Sequence, residues 1–441
     1  MAIAIDNKTA EIVAKYRRLF DLKEQQMNGQ KNHPLQTIRR QAIERLEDIG
    51  FPARKDEDYK YTYVTKIVKE QYDVGKAVAL SEALIQQASF GDLDTYQLVF
   101  VNGIYNEGFS NIQNLPKGLT IRTIKEAYDD EATQSLVTDV LSSELGLNAF
   151  VALNTAFAQQ GTFVHVAKGT IVDKPILLTN ISIAEEIAFM THPQLLVVAE
   201  SNSEVSLIET YSAPSAGTYF TNALTRIMVG QNAYVHHYKL QNESVQAFQI
   251  NNSIVTQERD STYSSYVLDM GGKTIRNNLS SHLKASGTNT NLYGVYLAKG
   301  NQHIDNQSFI DHAHPHCESN ELYKGIIDDK GRGVFNGKVN VAQDAQKTNA
   351  FQQNSSLVLS DTAVMDTKPQ LEIFADDVRC SHGATIGQLD ESSMYYLRTR
   401  GMSAQQARAM LQFAFVAEVL DNFKIEAVKE KALALMEEKL G

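Results

Sequence analysis

Five strand-like runs in this chain open at one interval: Ile176, Val205, Tyr234, Tyr263 and Leu292 each follow the last by 29 residues. The segments NSEVSLIE, QNAYVHHY, DSTYSSYV and NTNLYGVY read as variants of one unit. A unit this short cannot bury its apolar face alone and must stack on its neighbours, which is the signature of a solenoid. From about Thr162 to Ile386, short runs of Val, Ile, Leu, Thr and Tyr alternate with Gly, Asn, Asp and Ser clusters, and helical periodicity is scarce. With strands as the repeating element, the expected fold is mainly β: a parallel β-helix whose coils stack about 4.8 Å apart. A β-sandwich with evenly spaced turns gives a similar pattern and is the alternative.

The flanks read as helix. Ile12, Tyr16 and Phe20 recur at four-residue steps, and Leu35, Ile38, Ala42 and Leu46 form a second stripe that ends at Gly50 and Pro52. Leu98 to Val101 is an apolar run before an Asn102-Gly103 turn, and Ile124 to Ala158 is helical in character. After the repeats, Ser403 and Gln406 form a capping-box pattern. Met410, Phe413, Phe415, Val416 and Leu420 then follow on a helix with apolar residues on nearly every face. The expected layout is a helical and mixed region over 1–150, the β-helix over 151–388 and a helical domain over 389–441. A β-helix has raw strand edges at its ends, so the tail is expected either to cap one end or to dock a partner.

Candidate chemistry concentrates near the end of the repeats. Cys380 and His382 are two apart, so an extended strand presents both on one face. Thiolate and imidazole suit iron, copper or zinc. Two ligands do not close a tetrahedral site, so a partner must supply the rest if metal is handled there. The alternative is that both are core or edge residues, since free cysteine packs as a small hydrophobe. His312, His314, His316 and Cys317 form a second metal candidate, with alternating histidines on one face if the segment is extended. Pro315 breaks regular pairing there, and histidines exposed in a loop commonly bind nothing. His236 and His237 are consecutive, face opposite sides of a strand, and read as structural. The run Gly331 to Lys338 lacks the glycine spacing and the Ser or Thr of a phosphate loop, so its glycines are expected in turns between strands.

Composition narrows the function classes. A net charge of −11 argues against a large nucleic-acid surface. No apolar run reaches membrane-spanning length. Two cysteines and a first segment without the layout of a secretory signal make a cytoplasmic home the expectation. Paired acids, Asp328-Asp329 and Asp376-Asp377, keep open a carbohydrate-active enzyme of the secreted β-helix type, although no tryptophan is present to stack on sugars. A stand-alone metal-binding protein is the other alternative.

The segments RCSHGAT at Arg379 to Thr385, YYLRTRG at Tyr395 to Gly401, KPQLEIFADDV at Lys368 to Val378 and FVALNTAF at Phe150 to Phe157 resemble the SufB/SufD family of iron–sulfur cluster assembly proteins. Gly383, where SufB typically carries Glu, makes the chain more similar to SufD. The resemblance implies a right-handed parallel β-helix with helical ends, and a scaffold subunit without turnover of its own. It implies pairing with SufB through the β-helix, with His382 at the junction assisting iron or cluster handling and Cys380 beside it. It further implies docking of the ATPase SufC on the C-terminal helices, and iron or a nascent cluster held only transiently, with no tightly bound cofactor. An exposed strand edge would also favour a homodimer of the isolated chain.

Overall fold

A computed structural model of the chain describes residues 7–26, 33–143, 147–158, 160–184 and 187–440. The signal reading therefore rests partly on positions 1–6, which lie outside the described residues. From residue 161 the strands build a β-solenoid of two parallel sheets. Glu204–Ser212, Tyr234–Asn242, Thr262–Asp269, Asn289–Ala298, Glu318–Ile327, Asn349–Val358 and Arg379–Gly387 stack in sheet B. The strands between them stack in sheet A, from Tyr219–Val229 through Phe248–Gln257, Thr274–Leu283 and His303–His312 to Arg332–Val341. Sheet A ends in two short pieces, Val364–Thr367 and Gln370–Ile373, both laid on Arg332–Val341.

The even 29-residue interval is an average over unequal coils. Glu204 pairs with Tyr234, 30 residues on; Thr262 pairs with Asn289, 27 on; Glu318 pairs with Asn349, 31 on. Val205 therefore lies beside Val235, not Tyr234, and Ile176 lies beside Leu207. Turns that gain or lose a residue cause the drift, and a one-residue slip reverses the face. Val205 and Val235 are fully buried, whereas Tyr234 is 42% exposed.

The N-terminal helices Asn7–Gln26 and Pro34–Ile49 bury both expected stripes. They join Phe150, Leu153 and Phe157 of helix Ala149–Phe157 over the outer face of sheet A. Lys23 and Arg39 close that helix by donating to the carbonyls of Phe157 and Ala158, at 3.1 and 2.9 Å, where cations suit the negative end of the dipole. Helices Ile124–Asp129 and Gln134–Ser143 precede it, with 144–146 outside the described residues. The mixed region also contributes to the solenoid. Tyr96–Val101 runs parallel to Ile176–Ile181, and Asn102 and Gly103, at φ 51° and 77°, fold it back onto Ile104–Tyr105.

The C-terminal helices Ala404–Leu420 and Glu426–Leu440 do not cap the solenoid. They lie along its flank, where Val416, Val419, Leu420, Phe423, Val428, Ala432 and Met436 cover Tyr238, Leu240, Tyr266, Leu268 and Val295 of sheet B. The outward-pointing apolar columns of sheet B need cover, and burying them against the tail is favourable. Phe423 meets Tyr266 and Tyr238 edge-on, at 5.3 and 5.8 Å between ring centroids. Phe423→Ala is expected to lower stability by about 3–5 kcal/mol, with early loss of the tail, measurable by denaturant titration and proteolysis.

Candidate functional site at the open end of the solenoid

With the helices on the flank, the last coil is left open. Strand Arg379–Gly387 pairs on one side only, with Asn349–Val358, and its residues are exposed apart from half-buried Cys380. Val364, Ile373, Phe374 and Ile386 around the same rim are 45%, 39%, 63% and 52% exposed. An unpaired edge with apolar surroundings is a template for another polypeptide.

Cys380 and His382 fall on one face of this strand, and register identifies which. Cys380 lies beside Ala350 and His382 beside Gln352. Ala350 belongs to the inner core and Gln352 bonds to Glu321 within the lumen, so both site residues continue rows that line the solenoid's interior. They emerge at its mouth. Burial pushes the Cys380 thiol up, against a hydrogen bond with the Ala350 backbone, so it is protonated at neutral pH and becomes a thiolate only when a ligand displaces the proton. His382 is exposed and has no hydrogen-bond partner among the described residues. No three His, Cys, Asp or Glu side chains gather into a metal-holding group among the described residues. The pair is thus a partial donor set facing outward.

Behind it the lumen carries polar rows beside an apolar core that includes Val205, Val235, Leu292 and Ala350. Its inner rows carry His237, Lys239, Asp269, Asn277, Asn306, Glu321 and Gln352, all buried. Glu209 accepts from His237 Nε2 at 2.7 Å, Tyr211 Oη at 2.6 Å and Thr225 Oγ1 at 2.9 Å. Burial raises its carboxyl, but these donors outweigh burial and hold it at about 2. Asn277 donates to Asp269 and to Asn306, at 2.7 and 2.8 Å, and accepts from Lys239 at 2.5 Å. Burial lifts Glu243 and Glu321 to about 7 each, against the hydrogen bonds they accept. Sequence reasoning missed this network, because charged residues in a strand read as outward-facing. The signal was parity: His237, Lys239 and Gln241 share the face of buried Val235.

The second metal candidate is dispersed. His312 ends its strand facing inward and is fully buried, with Nε2 2.9 Å from Ser319 Oγ. Burial pushes it down to about 4. His314 and His316 are exposed on the turn, where His316 has a φ of 61°, and Cys317 is sealed in the core, its thiol 3.3 Å from the Ala285 carbonyl. The chain bends between them, as Pro315 leads one to expect, so the segment is not extended and its histidines do not share a face. The glycine run also differs from expectation. Gly333 and Gly337 sit inside strand Arg332–Val341 on its inner face, leaving room for Tyr296 and for Gln352.

The tail residues divide in the same way. Val416 and Leu420 are buried against sheet B and are not free for a partner, because the flank contact has taken that side of the helix. Phe413 and Phe415 pack at the margin of the same cluster, and Met410 is 49% exposed. Helix Glu391–Thr399 buries none of its residues and leaves Tyr395 and Tyr396 exposed by 73% and 56%.

Two family models together account for most of the chain. "SUF system FeS cluster assembly, SufBD core domain" matches residues 181–415, and "SufBD protein N-terminal region" matches 10–178. An iron–sulfur cluster assembly SufBD family protein of Synechocystis is 33% identical over 422 residues, 94% of this chain and 93% of that one. The iron–sulfur cluster assembly protein SufD of Escherichia coli is 33% identical over 403 residues, 91% of this chain and 92% of its own. SufD of Bacillus subtilis is 26% identical over 435 residues, 97% of each. This β-solenoid with buried polar rows and an open, Cys- and His-bearing end, matched over nearly its whole length, belongs to the SufBD family of the SUF iron–sulfur cluster assembly system.

Proposed function

We propose that this chain is a SufD-like scaffold subunit without turnover of its own. It pairs through the open edge of its solenoid with a SufB-type subunit and docks a SufC-type ATPase on its C-terminal helices. The observation that carries this reading is the exposed terminal strand Arg379–Gly387, with half-buried Cys380 and exposed His382 on the lumen-facing side of a one-sided edge. Such an edge is completed by a second strand, and the two donors then become part of a shared set that handles iron or a nascent cluster as cargo. ATPase docking falls to Met410 with exposed Tyr395 and Tyr396, flanked by Phe413 and Phe415, since Val416 and Leu420 are spent internally. ATP-driven movement of the docked subunits strains the junction and uncovers His382. No helix among the described residues is long and apolar enough to cross a membrane, and we place the complex in the cytoplasm. Without a partner, the same edge supports a homodimer.

Co-expression with SufB and SufC is the test. A stable complex is expected by size exclusion. His382→Ala is expected to lower cluster yield by about tenfold with an unchanged melting temperature, because the ring is exposed and unbonded. Normal yield from that variant, in an intact complex, would remove His382 from the function.

A further inference from the structure

Gln352 occupies the rung immediately behind His382 on the same inward face. It is only 3% exposed, and its Nε2 donates to Glu321 Oε2 at 2.6 Å. That bond fixes which way the amide points, and it leaves Gln352 Oε1 buried without a partner. Such an atom is expensive to leave unmade. The opposite wall is shaped around this arrangement. A Cβ added at Gly337 would lie 2.0 Å from Gln352 Nε2 and 3.0 Å from Glu321 Oε2. A glycine inside a strand, where it weakens the element, thus leaves space for one amide. The Gln352 amide is the hydrogen-bond donor to the buried Glu321 carboxyl, so the carboxyl and the amide form one unit.

We infer that Gln352 is a positioning residue for His382, its unpaired Oε1 accepting the ring N–H once a partner strand closes the solenoid mouth. The inference rests on the reading of His382 as the cluster-handling residue. A ring held this way has one tautomer and one orientation, with its second nitrogen turned outward, its lone pair ready for ferrous iron. In the free chain water competes for the exposed ring. Closure removes that water and makes the bond to Gln352 worth more.

The test is a double-mutant cycle in the assembled complex of full-length chains, read by anaerobic titration with ferrous iron alone. Gln352→Met, of similar volume but without hydrogen bonding, is expected to weaken iron binding by about tenfold. In the His382→Ala background the same change should do nothing further. Gly337→Ala, which displaces the amide by way of the opposite wall, should reproduce the single variant. Complex assembly and melting temperature, measured alongside, show that each variant folds. An equal loss in both backgrounds would mean a general structural effect and overturn the inference. Unchanged binding by Gln352→Met, while His382→Ala weakens it, would overturn the inference and leave the His382 reading standing. No effect of His382→Ala would bring down both.

Discussion

His237→Leu is expected to destabilise the chain by about 3–5 kcal/mol, the usual consequence of leaving a buried carboxylate without its main hydrogen-bond partner. His237 and Glu209 are 3% and 5% exposed at the side chain, and their contact is 2.7 Å. Without the imidazole, Glu209 keeps only the hydroxyls of Tyr211 and Thr225, and Tyr263 Oη loses its contact with His237 Nδ1. The double variant Glu209→Leu/His237→Leu should recover most of the loss, since well-packed apolar replacements for a buried pair are often neutral. Urea denaturation of the four proteins checks this. Additive losses would mean that the pair is not coupled. The depressed Glu209 carboxyl gives the same interaction a pH signature. Its contribution is present above the unfolded carboxylate value and is lost as pH falls from about 4.5 through about 2.

The second large effect has the opposite sign. Glu243 and Glu321 are buried, and each is raised to about 7. A carboxyl raised on folding adds stability that is complete below its unfolded value, near 4.5, and is lost as pH rises through about 7. Histidines pull the other way, because buried His192 and His312 and half-buried His236 and His303 are all lowered by desolvation. The parent's pH curve is therefore a sum of opposing slopes, and the informative quantity is a difference between variants. Glu321→Gln should gain about 3 kcal/mol relative to the parent between pH 4.5 and pH 8, and Glu243→Gln a similar amount. A parallel pair of stability curves would contradict the burial of these carboxyls in their protonated state.

Much of the architecture was legible because a solenoid writes its period into the chain. Inner residues such as Val205, Tyr263 and Leu292 must repeat for coils to stack. What the period does not show is parity, because turns of unequal length shift the count: a strict 29-residue interval aligns Tyr234 with Val205, whereas Val235 belongs there. The polar rows of the lumen were hidden for the same reason: His237 and Glu321 declare themselves buried only once the register is known. The terminal strand was readable because i and i+2 spacing survives any register, so Cys380 and His382 had to share a face. For His312 to Cys317 a shared face needs an extended strand, and Pro315, already a warning in the sequence, and the left-handed His316 turn the chain instead. The tail was read as helix, but amphipathicity on most faces did not say which face would meet the sheet. Val416 and Leu420 are buried there, and Met410 is not.

Hydrogen–deuterium exchange across Arg379–Gly387, with and without SufB, tests the mating edge most directly. Its outward amides exchange freely in the isolated chain while it remains monomeric, and they are expected to become strongly protected when the complex forms. A stable complex in which those amides exchange as fast as before would show that the partner binds elsewhere and that Cys380 and His382 do not face it.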